Sequence, residues 1–113
     1  MRGSRRLTQA LAFILSIDLP SEVARALEPL ASELGKSGYA PSSFLLSKSF
    51  GDFQVTFSRG AHAFSIARDR GQFLVNDVAQ EELEAFGLLR VFATPVQLRE
   101  NLLAWLSTHQ APV

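Results

Sequence analysis

The feature that most constrains this chain is a change of hydrophobic period. From 42 to 78 the apolar residues recur every second position: Phe53, Val55 and Phe57 alternate with Gln54, Thr56 and Ser58, Phe64 and Ile66 alternate with Ser65 and Ala67, and Phe73 and Val75 continue the scheme. Side chains point to opposite faces of a strand in turn, so this pattern places one greasy face and one polar face on a sheet. Turn signals cut the block at Gly51-Asp52, Arg59-Gly60 and Arg70-Gly71, with glycines nine and eleven residues apart, the spacing of strands joined by tight hairpins. The reading is a four-stranded antiparallel meander over approximately 43–50, 53–59, 62–69 and 72–78. Six of the nine phenylalanines lie between Phe44 and Phe73, so its aromatic face requires cover.

Helical periodicity on both sides of this block supplies the cover. Leu7, Leu11 and Ile14 or Leu15 repeat at three-to-four spacing, and Val23, Leu27, Leu30 and Leu34 do the same. Pro20 suits the first turn of a second helix, whereas Pro29 is expected to kink or divide it, because it removes a helical hydrogen bond. Gly35 and then Gly38 end the helical stretch. A short helix is expected over 80–86 with Gly87 as its stop, followed by an apolar segment, 88–92. Thr94-Pro95 is a helix start, with threonine as the cap and proline at the first helical position, and Leu98, Leu102, Trp105 and Leu106 then form one apolar stripe ending near His109. The expected fold class is α+β, a four-stranded antiparallel meander with N-terminal and C-terminal helices packed on one face. Residues 1–113 are read as one domain, with 1–6 outside the packed fold, Met1-Arg2-Gly3-Ser4 having the look of an added leader.

Composition narrows the function classes. Apolar residues make up 47% of the 113 and charged ones 19%, which excludes a chain too polar to form a core. Eleven basic residues balance eleven acidic ones, so the molecule lacks the bulk positive charge that draws proteins to phosphate backbones, and no direct nucleic-acid binding is expected. There is no cysteine, which removes disulfides, thiolate metal sites and a cysteine nucleophile. Arg5 and Arg6 precede an apolar run from Leu11 to Ile17, but Asp18 and Glu22 interrupt the way to a signal-peptide cleavage site, and seven residues fall far short of the roughly 20 that span a bilayer. A cytoplasmic location and no membrane partner follow as expectations.

Catalytic signatures fail on spacing. Gly35-Lys36-Ser37 has the end of a phosphate-binding loop, but Leu30 stands where its first glycine is needed. His62 lies beside a hairpin turn and His109 near the last helix's end, with neither His-x-His nor His-x-x-x-His between them. His109 reads as a cation near a helix C-terminus and His62 as an exposed or half-buried strand residue. No serine elbow is present, and acid pairs such as Asp77 with Glu81 or Glu81 with Glu84 have their usual meaning on a solvated helix face. Neither catalytic residues, metal nor cofactor is expected. Arg68-Asp69-Arg70-Gly71 reads as a hairpin tip with both arginines in water.

Charge distribution says more than net charge. Residues 77–113 carry Asp77, Glu81, Glu82, Glu84 and Glu100 against Arg90 and Arg99, while 41–76 lean basic. The acids between 77 and 84 form a negative patch of the kind that steers a basic partner, with a plain solvated helix as the commoner meaning.

Glu28-Pro29-Leu30, Gly35 to Tyr39, Ser49-Phe50-Gly51-Asp52-Phe53 and Ile66-Ala67-Arg68-Asp69-Arg70-Gly71-Gln72-Phe73-Leu74-Val75 together resemble the immunity proteins that accompany toxins of contact-dependent growth inhibition and related polymorphic toxin systems. The resemblance covers about half of the chain and rests on turn and strand residues. It implies a non-catalytic cytoplasmic protein, a monomer or weak dimer when free, that binds and blocks the C-terminal toxin domain, a nuclease, of a cognate effector. Contacts are then expected at Asp77, Glu81, Glu82 and Glu84, with Asp52 and Asp69 at hairpin turns as second candidates. Two other classes stand beside it: an assembly protein that self-associates through the sheet, and a small enzyme using His62 with nearby acids.

Overall fold

The computed structural model describes residues 17–47 and 51–109. The helix expected from Leu7, the detachment of 1–6, and positions 48–50 of the first strand lie outside the described residues.

The meander is present, in the order β1 (Ala40–Leu46), β2 (Phe53–Arg59), β3 (His62–Asp69), β4 (Gln72–Asn76), each strand antiparallel to the next. Register puts Phe44 opposite Val55, Val55 opposite Ile66 and Ile66 opposite Val75, with Phe57 facing Phe64 on the same side. Phe53, Val55, Phe57, Phe64, Ile66, Phe73 and Val75 are all buried there.

Both tight turns have the backbone that their glycines predict. Gly60 takes a positive φ at the β2–β3 turn, and Arg70 and Gly71 both take one at the β3–β4 turn, which matches the right-handed twist of the flanking strands. Asp52 accepts a hydrogen bond from the Arg70 amide at 2.8 Å, tying the β1–β2 connection to the β3–β4 tip.

Three strand boundaries differ from the sequence reading, the first being the end of β1 at Leu46, with Ser47 outside the strand where it was expected to run on to 50. β1 begins at Ala40, ahead of the expected start at 43, because Pro41 is tolerated on an edge strand and a bulge between Pro41 and Ser43 resets the register. β4 stops at Asn76, two residues early, because Asp77 adopts φ +63 and turns its carboxylate back to accept from the Ser65 hydroxyl at 2.5 Å.

Four helices are described: α1 (Ser21–Leu27), α2 (Leu30–Lys36), α3 (Gln80–Ala85) and α4 (Pro95–Ser107). Pro29 does divide the N-terminal stretch. Glu28, the residue before it, is extended, as the proline ring demands, and the Glu28–Pro29 bond is cis. Pro20 sits at the cap of α1, one position before the first helical residue. α4 starts as expected: the Thr94 hydroxyl accepts from the Gln97 amide at 3.3 Å, while the Gln97 side chain accepts from the Ala93 amide at 3.0 Å, a reciprocal cap. Leu98, Leu102, Trp105 and Leu106 are buried, with Val23, Leu27, Leu30 and Leu34, in one core against the aromatic sheet face. The 88–92 segment contributes a single bridge, in which Phe92 and Phe73 exchange two hydrogen bonds of 2.7 Å.

The opposite sheet face carries a polar chain: Thr56 hydroxyl to Ser65 hydroxyl at 2.9 Å, Ser65 on to Asp77, and the Asn76 amide to Gln54 at 3.0 Å. Ser65 is fully buried, and these bonds satisfy it.

α3 ends in a Schellman turn, with the Leu88 amide on the Leu83 carbonyl at 2.7 Å and Gly87 at φ +67. A Cβ on Gly87 would meet the Asn101 side-chain nitrogen at 2.7 Å, the atom that donates to the Phe86 carbonyl. Gly87→Ala is therefore expected to cost about 1–3 kcal/mol, from left-handed strain and a displaced hydrogen bond. Urea unfolding checks it, through a lowered midpoint at unchanged slope.

Candidate functional site

Both histidines, the tyrosine and the tryptophan of the chain meet at one end of the aromatic face, together with Arg59 and Glu82. Arg59 closes β2 and His62 opens β3, and they face each other across the two-residue turn. Both belong to the apolar side, two positions beyond Phe57 and before Phe64 respectively, where the sheet's aromatic stripe runs out.

Tyr39 arrives from the other direction. The end of α2 is a second Schellman turn: Gly38 takes φ +90, its amide bonds to the Gly35 carbonyl at 3.0 Å, and the Tyr39 amide bonds to the Leu34 carbonyl at 3.0 Å. That turn drives Tyr39 inward, where it is buried against Phe64 with ring centroids 5.3 Å apart. Its hydroxyl stands 2.6 Å from His62 Nδ1. Gly38 also gives Arg59 passage, since a Cβ there would meet Arg59 Cδ at 3.1 Å. The Arg59 guanidinium lies 4.6 Å above the Tyr39 ring, donates to the Ser37 carbonyl at 3.0 Å, and donates to the His109 carbonyl at the end of α4.

α4 completes the group. Trp105 packs edge-on against Phe64 at 5.5 Å and lies 5.2 Å from His62. One turn later, His109 stacks on His62 with centroids 4.3 Å apart and planes 17° from parallel. Glu82 of α3 bridges the two α4 rings, accepting from Trp105 Nε1 at 2.9 Å and standing 3.7 Å from His109 Nε2.

The electrostatics follow from these neighbours. Burial, then the His109 ring, then the Arg59 guanidinium hold the His62 imidazole below its usual value, with Glu82 pulling weakly the other way. Burial pushes the Tyr39 phenol up, against the pull of Arg59, so its hydroxyl keeps its proton. The phenol and the neutral imidazole share one hydrogen bond, in which Tyr39 donates when His62 carries its hydrogen on Nε2. The two imidazoles lie face to face, a geometry that packs rings and does not converge their nitrogens on one ion, and no cluster of ligands suited to a metal is found among the described residues.

The spacing of His62 and His109 conceals their contact. Trp105 and His109, four apart on a helix, were the readable signal, because they share one face.

The six acidic candidates separate into two kinds. Asp77 is committed to Ser65, Asp52 to the Arg70 amide, and Glu82 to Trp105 and His109. Glu81, Glu84 and Asp69 are exposed and make no hydrogen bond or ion pair with the described residues. Glu81 and Glu84 are three apart on α3, hence on one side of it. Arg99, one of the two basic residues of this region, is used by Glu33 at 2.6 Å, and Arg90 lies 4.7 Å over the Phe92 ring. The Arg68-Asp69-Arg70-Gly71 reading requires correction. Arg68 is a strand residue between Phe53 and Phe73, 5.9 Å from the Phe73 ring, with its Nε buried and unpaired; Arg70 alone of the two arginines occupies the turn.

No protein-family model, curated protein or solved structure matches this chain. No helix among the described residues is long and apolar enough to cross a membrane.

Because the folded chain binds a proton at His62 less readily than the unfolded one, stability is full above about pH 6.5 and falls as pH drops from there toward the folded value. Urea midpoints measured from about pH 8 to pH 5 check this. Tyr39→Phe is expected to cost about 0.5–1.5 kcal/mol at the upper end, the net worth of one hydrogen bond.

Proposed function

We propose that this protein is a non-catalytic, cytoplasmic binding module of the immunity class, which neutralises the C-terminal toxin domain of a cognate effector by docking on it. The reading rests on the family resemblance together with one observation: Glu81 and Glu84 stand exposed and uncompensated on one side of α3. A basic nuclease domain meets there a field of the opposite sign, which speeds encounter and fixes orientation. Exposed aliphatic side chains follow in the same stretch, Leu89 and Val91, and add apolar area that a docked partner would cover. The histidines support a non-catalytic reading as well, since His62 Nδ1 is taken by Tyr39 and both rings are stacked.

Among the six acids, Glu81 and Glu84 carry the docking, with Asp69 as an outlying contact. Asp77, Asp52 and Glu82 serve the fold first.

A second reading, self-association through the sheet, has its own support in edge strand β1, where Leu45 and Leu46 are 70% and 56% exposed. Light scattering over a concentration series separates the two: a strict monomer removes assembly.

A large secreted protein is expected to be encoded beside this gene, and its C-terminal domain is the probe for the binding test. Co-elution and rescue of cells expressing that domain are expected; absence of both overturns the reading. Glu81→Ala with Glu84→Ala is expected to weaken association roughly tenfold to a hundredfold, with a smaller salt dependence and an unchanged unfolding midpoint. Full affinity in that stable double variant would remove α3 from the interface.

A further inference from the structure

The geometry points to an acid-released latch: protonation of His62 loosens the chain just past the end of α4 from the β2–β3 hairpin, lifting His109 off the His62 ring and uncovering the edge of Trp105. The inference concerns the chain alone and is independent of any partner.

Three elements meet α4 at this point, and their charges decide the direction. Arg59 comes from β2, Tyr39 from the α2–β1 connection, and Glu82 from α3. At neutral pH Tyr39 and His62 share a hydrogen bond, Arg59 donates to the His109 carbonyl, and Glu82 accepts from Trp105. Arg59 is then the one fixed cation, balanced by Glu82.

Acid changes the count. Glu82 stands 3.7 Å from His109 Nε2 and is already bonded to the Trp105 indole. A proton on His62 leaves a hydrogen on both ring nitrogens, so Nδ1 can only donate to the Tyr39 hydroxyl, and the buried phenol must turn its own proton away from the ring. The imidazolium also faces the second ring at 4.3 Å and shares its surroundings with Arg59. One carboxylate, already bonded to an indole, then answers for two cations, His62 and Arg59. The least costly relief is movement of the element held by the fewest apolar contacts. That is the chain just past the end of α4, where Thr108 is exposed and His109 partly so, while Leu98, Leu102, Trp105 and Leu106 are buried further up the helix.

Trp105 reports the event without ambiguity, because it is the sole tryptophan of the chain. The experiment follows its emission and its indole N–H exchange, corrected for intrinsic rate, from about pH 8 to pH 5, the window in which histidine changes charge. The His62 titration is read in parallel by NMR.

The expected result is a red shift of emission together with indole exchange roughly tenfold faster relative to the Leu98–Leu102 amides, the factor that one pH unit of coupling supplies. Its midpoint coincides with the His62 titration, below about 6.5. His62→Phe, which keeps a ring under His109, abolishes the transition.

Trp105 signals that stay constant while His62 titrates overturn the latch, and this measurement needs no variant. So does a transition that survives unchanged in His62→Phe.

Discussion

The structure depends on burying one face of a four-stranded meander. Phe53, Phe57, Phe64 and Phe73 with Val55, Ile66 and Val75 form a continuous apolar surface, and a sheet of this size is stable in water only when that surface is covered. α1, α2 and α4 exist to cover it. Their own residues give little reason to be helical alone: α1 and α2 have seven residues each, below the length at which a helix persists unaided. The Val23–Leu27–Leu30–Leu34 stripe forms because the sheet receives it. The polar face obeys the complementary rule. Where it is crowded enough to bury Ser65, hydroxyl-to-hydroxyl and hydroxyl-to-carboxylate bonds take the place that helices take on the other side.

This asymmetry explains which parts of the fold are legible in sequence. Period two, three glycine turns and a Thr-Pro cap are local signals, and each appears where the residues place it. The first strand was misplaced because its boundary depends on a bulge and on edge position, which no local pattern reveals; Pro41 looks like a strand breaker until it is known to sit on the outside. Arg68 misled for the opposite reason. A charge beside a turn suggests solvent, yet the register assigns it to the apolar face, opposite Phe53 on one side and Phe73 on the other.

The histidine group was not legible as a site, although its members were all named. His62 and His109 belong to elements far apart in the chain, and their contact follows from the length of α4. Thirteen residues carry it about 20 Å, from a cap beside the β4 edge to the end of the aromatic face where Arg59 and His62 emerge. What sequence does carry is the Trp105–His109 spacing and the Schellman glycine that turns Tyr39 inward. Each alone means only packing.

Glu82 joins this group to the acidic helix, and the connection sharpens the meaning of the negative charge. Four acids in eight residues look equivalent in sequence, but an acid already accepting from an indole is not free to give its charge away. A partner drawing on Glu82 competes with Trp105 and His109, and loses part of what it gains; one drawing on Glu81 and Glu84 loses nothing. Asp77 is held in the same way by Ser65, whose burial makes the loss of that acceptor costly. The negative surface that α3 offers outward is therefore narrower than its composition, and its position is set from within by the carboxylates that the core has already claimed.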